Sequence, residues 1–170
     1  AQFRANHLAE ELTEIVAGAG LSPAQVELEL TESMLAEDAE RAERSLRTLH
    51  ASGFLLAIDD FGTGYSSMFA LQRYPLARLK IDRSFVKDVG TDANSATIVR
   101  ATVELAHALG LSVIAEGVET EVQERFLRGV GCDEVQGFRY ARPMEVPDFE
   151  TWARRFRDRS PDDGLILPAS

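Results

Sequence analysis

Carboxylate side chains recur at the ends of short apolar runs in this sequence. The clearest case is the run Ala57-Ile58-Asp59-Asp60, in which two adjacent acids directly follow apolar residues. Two neighbouring carboxylates are costly to keep ionised unless a cation lies between them. Because no His or Cys stands nearby, the oxygen ligands favour Mg²⁺ or Mn²⁺ over zinc. The alternative is that Asp59 and Asp60 only hydrogen-bond loop amides and cap the next helix.

Further polar side chains occupy similar positions along the chain. They are Glu29 with Glu32, Lys80 with Asp82, Glu116 with Glu119, and Gln136. A lysine among carboxylates is suited to orienting water or a phosphate group. Simpler alternatives remain open for each residue. Glu32 could be an acid in the first turn of the following helix, where the helix dipole favours a negative charge. Lys80 could lie on the surface with its aliphatic stem along apolar neighbours. Glu116 could be a solvent-exposed acid in a loop.

The hydrophobic periodicity predicts alternating strands and helices. The predicted helices span residues 3–19, 38–51, 67–72, 94–109, 120–130 and 147–159, and the predicted strands span residues 25–30, 54–58, 77–81, 111–115 and 134–136. Repeated βα units require parallel strands, either in an open doubly wound sheet or in a closed barrel. Polar groups follow several different strands instead of meeting at one switch point, which favours the barrel.

The barrel prediction leaves a deficit of strands. A (β/α)₈ TIM-like barrel has eight strands, whereas the periodicity of this sequence predicts about five. We therefore expect an α/β barrel that is incomplete at its N-terminus. We also expect a single domain over residues 1–159, followed by a C-terminal tail over residues 160–170.

The amino-acid composition excludes some classes of binding partner for this chain. The 28 acidic and 18 basic residues give a formal net charge of −10, which argues against binding of duplex nucleic acid. Such a chain would need metal ions to bind a phosphate ester. No apolar stretch approaches the roughly 20 residues that span a bilayer, so no membrane contact is expected. The single Cys132 excludes an internal disulfide and fits a cytoplasmic location.

Taken together, the motifs resemble those of the EAL family of cyclic di-GMP phosphodiesterases. The matching segments are Glu-Leu-Thr-Glu-Ser at 29–33, Asp-Asp-Phe-Gly-Thr-Gly-Tyr-Ser-Ser at 59–67, Leu-Lys-Ile-Asp at 79–82, Ala-Glu-Gly-Val-Glu-Thr at 115–120 and Gln-Gly-Phe at 136–138. The resemblance extends from the first residue to about Met144. It implies a barrel with one antiparallel strand, two Mg²⁺ or Mn²⁺ ions per site, and hydrolysis of cyclic di-GMP to linear pGpG.

The resemblance also implies a set of metal ligands. Glu29 and Asp59 would bind the first cation. Asp59 would bridge to the second cation, where Asp60 and Glu116 would complete the site. This pattern corresponds to two-metal catalysis, in which paired cations activate water and neutralise phosphate oxygens.

The remaining roles concern water, substrate and a loop. Lys80 would position the attacking water and, with Glu116, would be catalytic. Glu32 would hold the loop over residues 60–67, which in this family also contributes to homodimer formation. Glu119 and Gln136 would support the water or the substrate.

The sequence departs from the family pattern at its beginning. The signature Glu-Ala-Leu, its Arg and a metal-binding Asn do not occur in this chain; by family spacing the Asn would fall just before Ala1. We therefore expect this chain to be inactive alone. Two alternatives remain: a module that binds cyclic di-GMP or a protein without catalysis, and a metal-dependent barrel enzyme that acts on a sugar or keto acid.

Overall fold

The computed structural model describes residues 8–31, 34, 39–62 and 68–157. The helices are α1 (Leu8–Gly18), α2 (Ala39–Ala51), α3 (Met68–Arg73), α4 (Arg83–Val86), α5 (Ala93–Ala108), α6 (Glu121–Gly129) and α7 (Val146–Arg157). The strands are β1 (Glu27–Thr31), β2 (Leu55–Phe61), β3 (Arg78–Ile81), β4 (Ser112–Glu116) and β5 (Glu134–Gln136). All five predicted strands are present within a few residues of their predicted limits.

The five strands form one parallel sheet in the order β1-β2-β3-β4-β5. Because each strand lies beside the next one in the chain, right-handed crossovers bring every connecting helix to the same face. A doubly wound sheet would reverse its strand order and carry helices on both faces. The observed order is that of a segment of a (β/α) barrel, so the predicted fold class is confirmed. The expected antiparallel strand is not among the described strands.

The face of the sheet that packs against the helices is apolar. Leu56, Ile58, Leu79, Ile81 and Val113 are each at most 1% exposed. Alternate residues of a strand point to opposite faces, so these side chains share one face across three strands. They form one core with buried residues of the helices: Leu46, Leu49, Val99, Val103 and Leu127.

Two local features differ from the predictions. Strand β2 continues through Asp59 and Asp60 to Phe61, and its pairing with β3 is irregular between Ile58 and Phe61. Asp60 has a φ of 54°, a left-handed conformation that is uncommon outside glycine. Helix α4 was not predicted, because four residues are too few to show a helical period. Its N-cap is Asp82, whose side chain accepts a hydrogen bond from the N–H of Ser84.

Several predictions fall on residues outside the described part of the chain. These are the beginning of the first helix, Glu32, the loop residues 63–67 and the tail over residues 160–170. The domain boundary at residue 159 therefore stays a prediction. Within the described ranges, no helix combines the length and the apolar composition needed to cross a bilayer.

Candidate active site at the carboxyl ends of the strands

Lys80 lies at the centre of a cluster of carboxylates, which we call the upper cluster. Its Nζ atom lies 2.5 Å from Glu29 Oε1, 2.6 Å from Glu116 Oε1 and 3.3 Å from Asp59 Oδ1. These four residues come from β1, β2, β3 and β4, and Lys80 is only 4% exposed. The structure therefore brings together four of the residues that the sequence predicted as a site.

The environment of Lys80 determines its charge state. Burial alone would lower the pKa of the amine, but hydrogen bonds to Glu116 and Glu29 and the charges of Glu116 and Asp59 outweigh that effect. The pKa of Lys80 is consequently raised above its ordinary value. An ammonium group held in this way can orient water or an anionic oxygen, but it cannot serve as a general base.

A second cluster lies on the same face of the sheet, two residues earlier along β3. Arg78 contacts Glu134 at 2.8 Å and Glu27 at 3.3 Å, and its Nε donates to Ser112 Oγ at 3.2 Å. Burial raises the pKa of Glu27, and the charge of Arg78 partly offsets that rise. We call this set the lower cluster. It was not predicted, although the two-residue spacings from Arg78 to Lys80 and from Glu27 to Glu29 place each pair on one face.

Asp60 does not join the upper cluster. It is exposed and lies near the side chain of Asp82, which follows β3. Partial burial and the nearby charges of Asp59 and Asp82 raise the pKa of Asp60. Burial opposes the charge on Asp82, but hydrogen bonds from Ser84 lower its pKa. No role was predicted for Asp82, although it directly follows a strand.

The remaining predicted residues lie on the loops around the upper cluster. Glu119 pairs with Arg83 at 3.2 Å, and both side chains are exposed. Gln136 ends β5 with an exposed side chain, and its carbonyl accepts a hydrogen bond from the N–H of Val118 at 3.0 Å. A Cβ atom on Gly137 would lie 2.2 Å from the carbonyl oxygen of Val118, so only glycine permits this approach. The end of β5 is thereby held beside the loop that carries Glu119.

The donor set fits a hard divalent cation by its chemistry. Glu29, Asp59, Asp60 and Glu116 supply carboxylate oxygens, which Mg²⁺ and Mn²⁺ prefer. Within residues 8–31, 34, 39–62 and 68–157, however, no group of three or more His, Cys, Asp or Glu side chains encloses a cation position. Three of these carboxylates contact the ammonium of Lys80 instead. Metal binding would therefore require them to share their oxygens between Lys80 and the cations.

Comparison with protein families gives one match that covers most of the chain. The model of the EAL domain matches residues 1–143. Among similar proteins is the bifunctional diguanylate cyclase/cyclic di-GMP phosphodiesterase MucR of Pseudomonas aeruginosa, which is 43% identical over 143 residues. The match covers 84% of this chain and 21% of MucR. The chain spans about a fifth of the length of the curated relatives that it matches.

Solved structures agree with this assignment. The PaMucR phosphodiesterase in complex with c-di-GMP is 42% identical, has a TM-score of 0.81, and is matched over 87% of this chain and 60% of its own. Klebsiella pneumoniae BlrP1, in a complex with manganese and the same nucleotide, is 34% identical with a TM-score of 0.79, over 84% of this chain and 36% of its own. Another BlrP1 complex contains calcium, so divalent cations accompany the nucleotide in both. This chain belongs to the EAL domain family.

Proposed function

We propose that this chain is the part of an EAL phosphodiesterase that carries the upper cluster, and that the whole domain hydrolyses cyclic di-GMP to linear 5′-pGpG. The observation that carries this proposal is the convergence of Glu29, Asp59 and Glu116 on the ammonium of Lys80. We also propose that the domain acts in the cytoplasm, which the single, buried and unpaired Cys132 supports.

The metal ligands in this proposal are the carboxylates of β1, β2 and β4. Glu29 and Asp59 would hold the first Mg²⁺ or Mn²⁺ ion, and Asp59, Asp60 and Glu116 would hold the second. Bound there, two cations would supply a water of lowered pKa and would neutralise charge on the phosphate. The negative charges of the site make such cations necessary, because an anionic substrate would otherwise be repelled.

The other residues orient the reacting groups. Lys80 would hold the attacking water in line with the phosphorus, and its permanent positive charge would keep the carboxylates of Glu29 and Glu116 in place. Glu119 and Gln136 would support the water or the substrate from the neighbouring loops. Glu32, predicted to hold the loop over residues 60–67, lies outside the described residues.

A second candidate is a module that binds cyclic di-GMP or a protein without hydrolysis. It is favoured by the carboxylates of the upper cluster, which contact Lys80 and do not enclose a cation position in the described part of the chain. The family match makes the third alternative, a sugar or keto-acid enzyme, unnecessary.

One comparison of two chains tests the proposal. With Mn²⁺ or Mg²⁺, we expect residues 1–170 to form little or no pGpG from cyclic di-GMP. We expect turnover from an extended chain, in which the natural preceding sequence supplies the Glu, Arg and Asn that the family pattern requires. The product is measured by chromatography. Full activity of the shorter chain would contradict the requirement for those residues, and nucleotide binding without pGpG in the extended chain would favour the second candidate.

We further propose that the chain associates with a second copy. Strands β1 and β5 each have one edge without a sheet partner among the described residues. Such edges readily pair with another chain. Sedimentation of residues 1–170 is expected to show dimers or larger species, and a uniform monomer over a range of concentrations would contradict self-association.

A further inference from the structure

Gln123 has an environment unlike that of an ordinary helix-capping residue. It is the third residue of α6 and only 6% exposed. Its Oε1 accepts hydrogen bonds from the N–H groups of Glu119 and Thr120, both at 2.8 Å. Its own N–H donates to Thr120 Oγ1 at 3.3 Å, which completes a capping box.

The amide nitrogen of Gln123 makes a further contact that a capping box does not need. Nε2 donates to the carbonyl of Lys87 at 3.0 Å. Lys87 is the C-cap residue of α4, the short helix that follows Lys80 and Asp82. The side chain therefore connects the loop after β4 with the segment after β3.

Two other contacts join the same pair of segments near the upper cluster. The stem of Arg83 lies against Gly117, where an added Cβ would be only 2.3 Å from Arg83 Cγ. The guanidinium of Arg83 pairs with Glu119 at 3.2 Å, but both groups are exposed and such pairs contribute little. The buried hydrogen bonds of Gln123 are thus the better-shielded connection between the segments.

We propose that Gln123 is a positioning residue for the hydrolysis proposed above, on which this inference rests. By bonding both segments at once, it fixes the loop after β4, which carries Glu119, relative to the segment after β3, which carries Asp82 and Arg83. Because its side chain is buried and bonds backbone groups of the two segments, we assign Gln123 no contact with the substrate or the reacting atoms. Its loss is expected to affect the geometry of the site more than substrate binding.

The substitution Gln123→Glu separates positioning from helix capping. A carboxylate can still accept the hydrogen bonds from Glu119 and Thr120, because Glu serves as well as Gln in a capping box. It cannot donate to the carbonyl of Lys87, which would then face a negatively charged oxygen. Gln25→Glu is a matched control, since Gln25 is exposed and its Oε1 accepts from the N–H of Ser22 in the capping box of a short 3₁₀ helix, Pro23–Gln25, which precedes β1.

The test uses the extended chain and two independent measurements. In steady-state hydrolysis of cyclic di-GMP, Gln123→Glu is expected to lower kcat about ten- to a hundredfold with little change in KM, as expected for one lost buried hydrogen bond and an unpaired carbonyl. In hydrogen exchange, the peptides covering residues 83–90 and 116–120 are expected to exchange faster. Gln25→Glu is expected to change neither measurement. Gln123→Met, an uncharged variant of similar size, loses the capping acceptor as well as the donor and is expected to lower kcat at least as much as Gln123→Glu.

Several outcomes would overturn the inference. They are wild-type kcat with wild-type exchange in both peptides, equal effects of the Gln25 and Gln123 variants, and a loss of kcat that only follows the unfolded fraction in thermal melts. If the wild-type extended chain does not hydrolyse cyclic di-GMP, the proposed function fails. Hydrogen exchange then decides separately whether Gln123 couples the two segments.

Discussion

Asp59→Asn in the extended chain is expected to reduce cyclic di-GMP hydrolysis by about a thousandfold or more. Asp59 is the ligand that both cations would share, and the stabilisation that cations supply to such a reaction amounts to several kcal/mol, at about 1.4 kcal/mol per tenfold in rate. The fold should persist, because Lys80 keeps its contacts with Glu29 and Glu116. The measurement is the initial rate of pGpG formation, with circular dichroism to verify folding.

Asp88→Asn is a suitable control for this variant. Asp88 is exposed and lies in the segment after α4, where its backbone carbonyl, which the substitution leaves in place, accepts hydrogen bonds from Thr91 and Asp92. We expect it to retain wild-type turnover. A rate for Asp59→Asn close to that of wild type would remove Asp59 from the catalytic site.

Lys80→Met is expected to lower the stability of the extended chain in the presence of a chelator and to make that stability depend more strongly on metal. Without the ammonium, the carboxylates of Glu29, Asp59 and Glu116 repel one another in a partly buried site. Breaking a buried ion pair costs about 3–5 kcal/mol. We expect the lower limit, about 3 kcal/mol, because Glu29 is half exposed. At about 2–4 °C per kcal/mol, the melting temperature should fall by roughly 6–12 °C.

The dependence on metal gives the sharper part of this prediction. A cation that binds only the folded state raises stability in proportion to the logarithm of its concentration. Three carboxylates without a competing ammonium should bind Mn²⁺ more tightly, so Mn²⁺ is expected to raise the melting temperature of Lys80→Met more than that of wild type. Lys87→Met, which removes the other lysine side chain of residues 1–170 and leaves the Lys87 carbonyl in place, is the control. Equal metal-induced shifts in all three proteins would contradict the prediction.

The upper and lower clusters together explain how this acidic face of the sheet can be stable before any metal binds. Arg78 lies between Glu27 and Glu134, and Lys80 lies between Glu29 and Glu116. Each of these two basic side chains belongs to β3 and contacts the outer strand β1, which is not a neighbour of β3 in the sheet. The clusters therefore tie the outer strands to β3 across the sheet face, in addition to the backbone hydrogen bonds of adjacent strands.

The candidate residues could be predicted from local sequence because their signal is local. Each acid follows a short apolar run, and parallel strands place such residues at one edge of a sheet. The order of the strands was also predictable in part, since repeated βα units join neighbouring parallel strands. The boundary of β2 was less accurate, because the bulge after Ile58 extends the strand into residues that a periodic pattern assigns to a loop.

The residue types at the strand ends, the alternation of strands and helices, and the family could all be recognised from the amino-acid sequence. The folded chain was needed to show which side chains come into contact: Lys80 binds three carboxylates, Asp60 lies near Asp82 and outside the upper cluster, and Gln123 bonds the carbonyl of Lys87. This is because the two-residue period of a strand assigns each side chain to one face of the sheet. It does not show how far along the strand that side chain lies relative to residues of the other strands, nor which path the following turn takes. Those depend on register, bulges and packing between segments far apart in the chain.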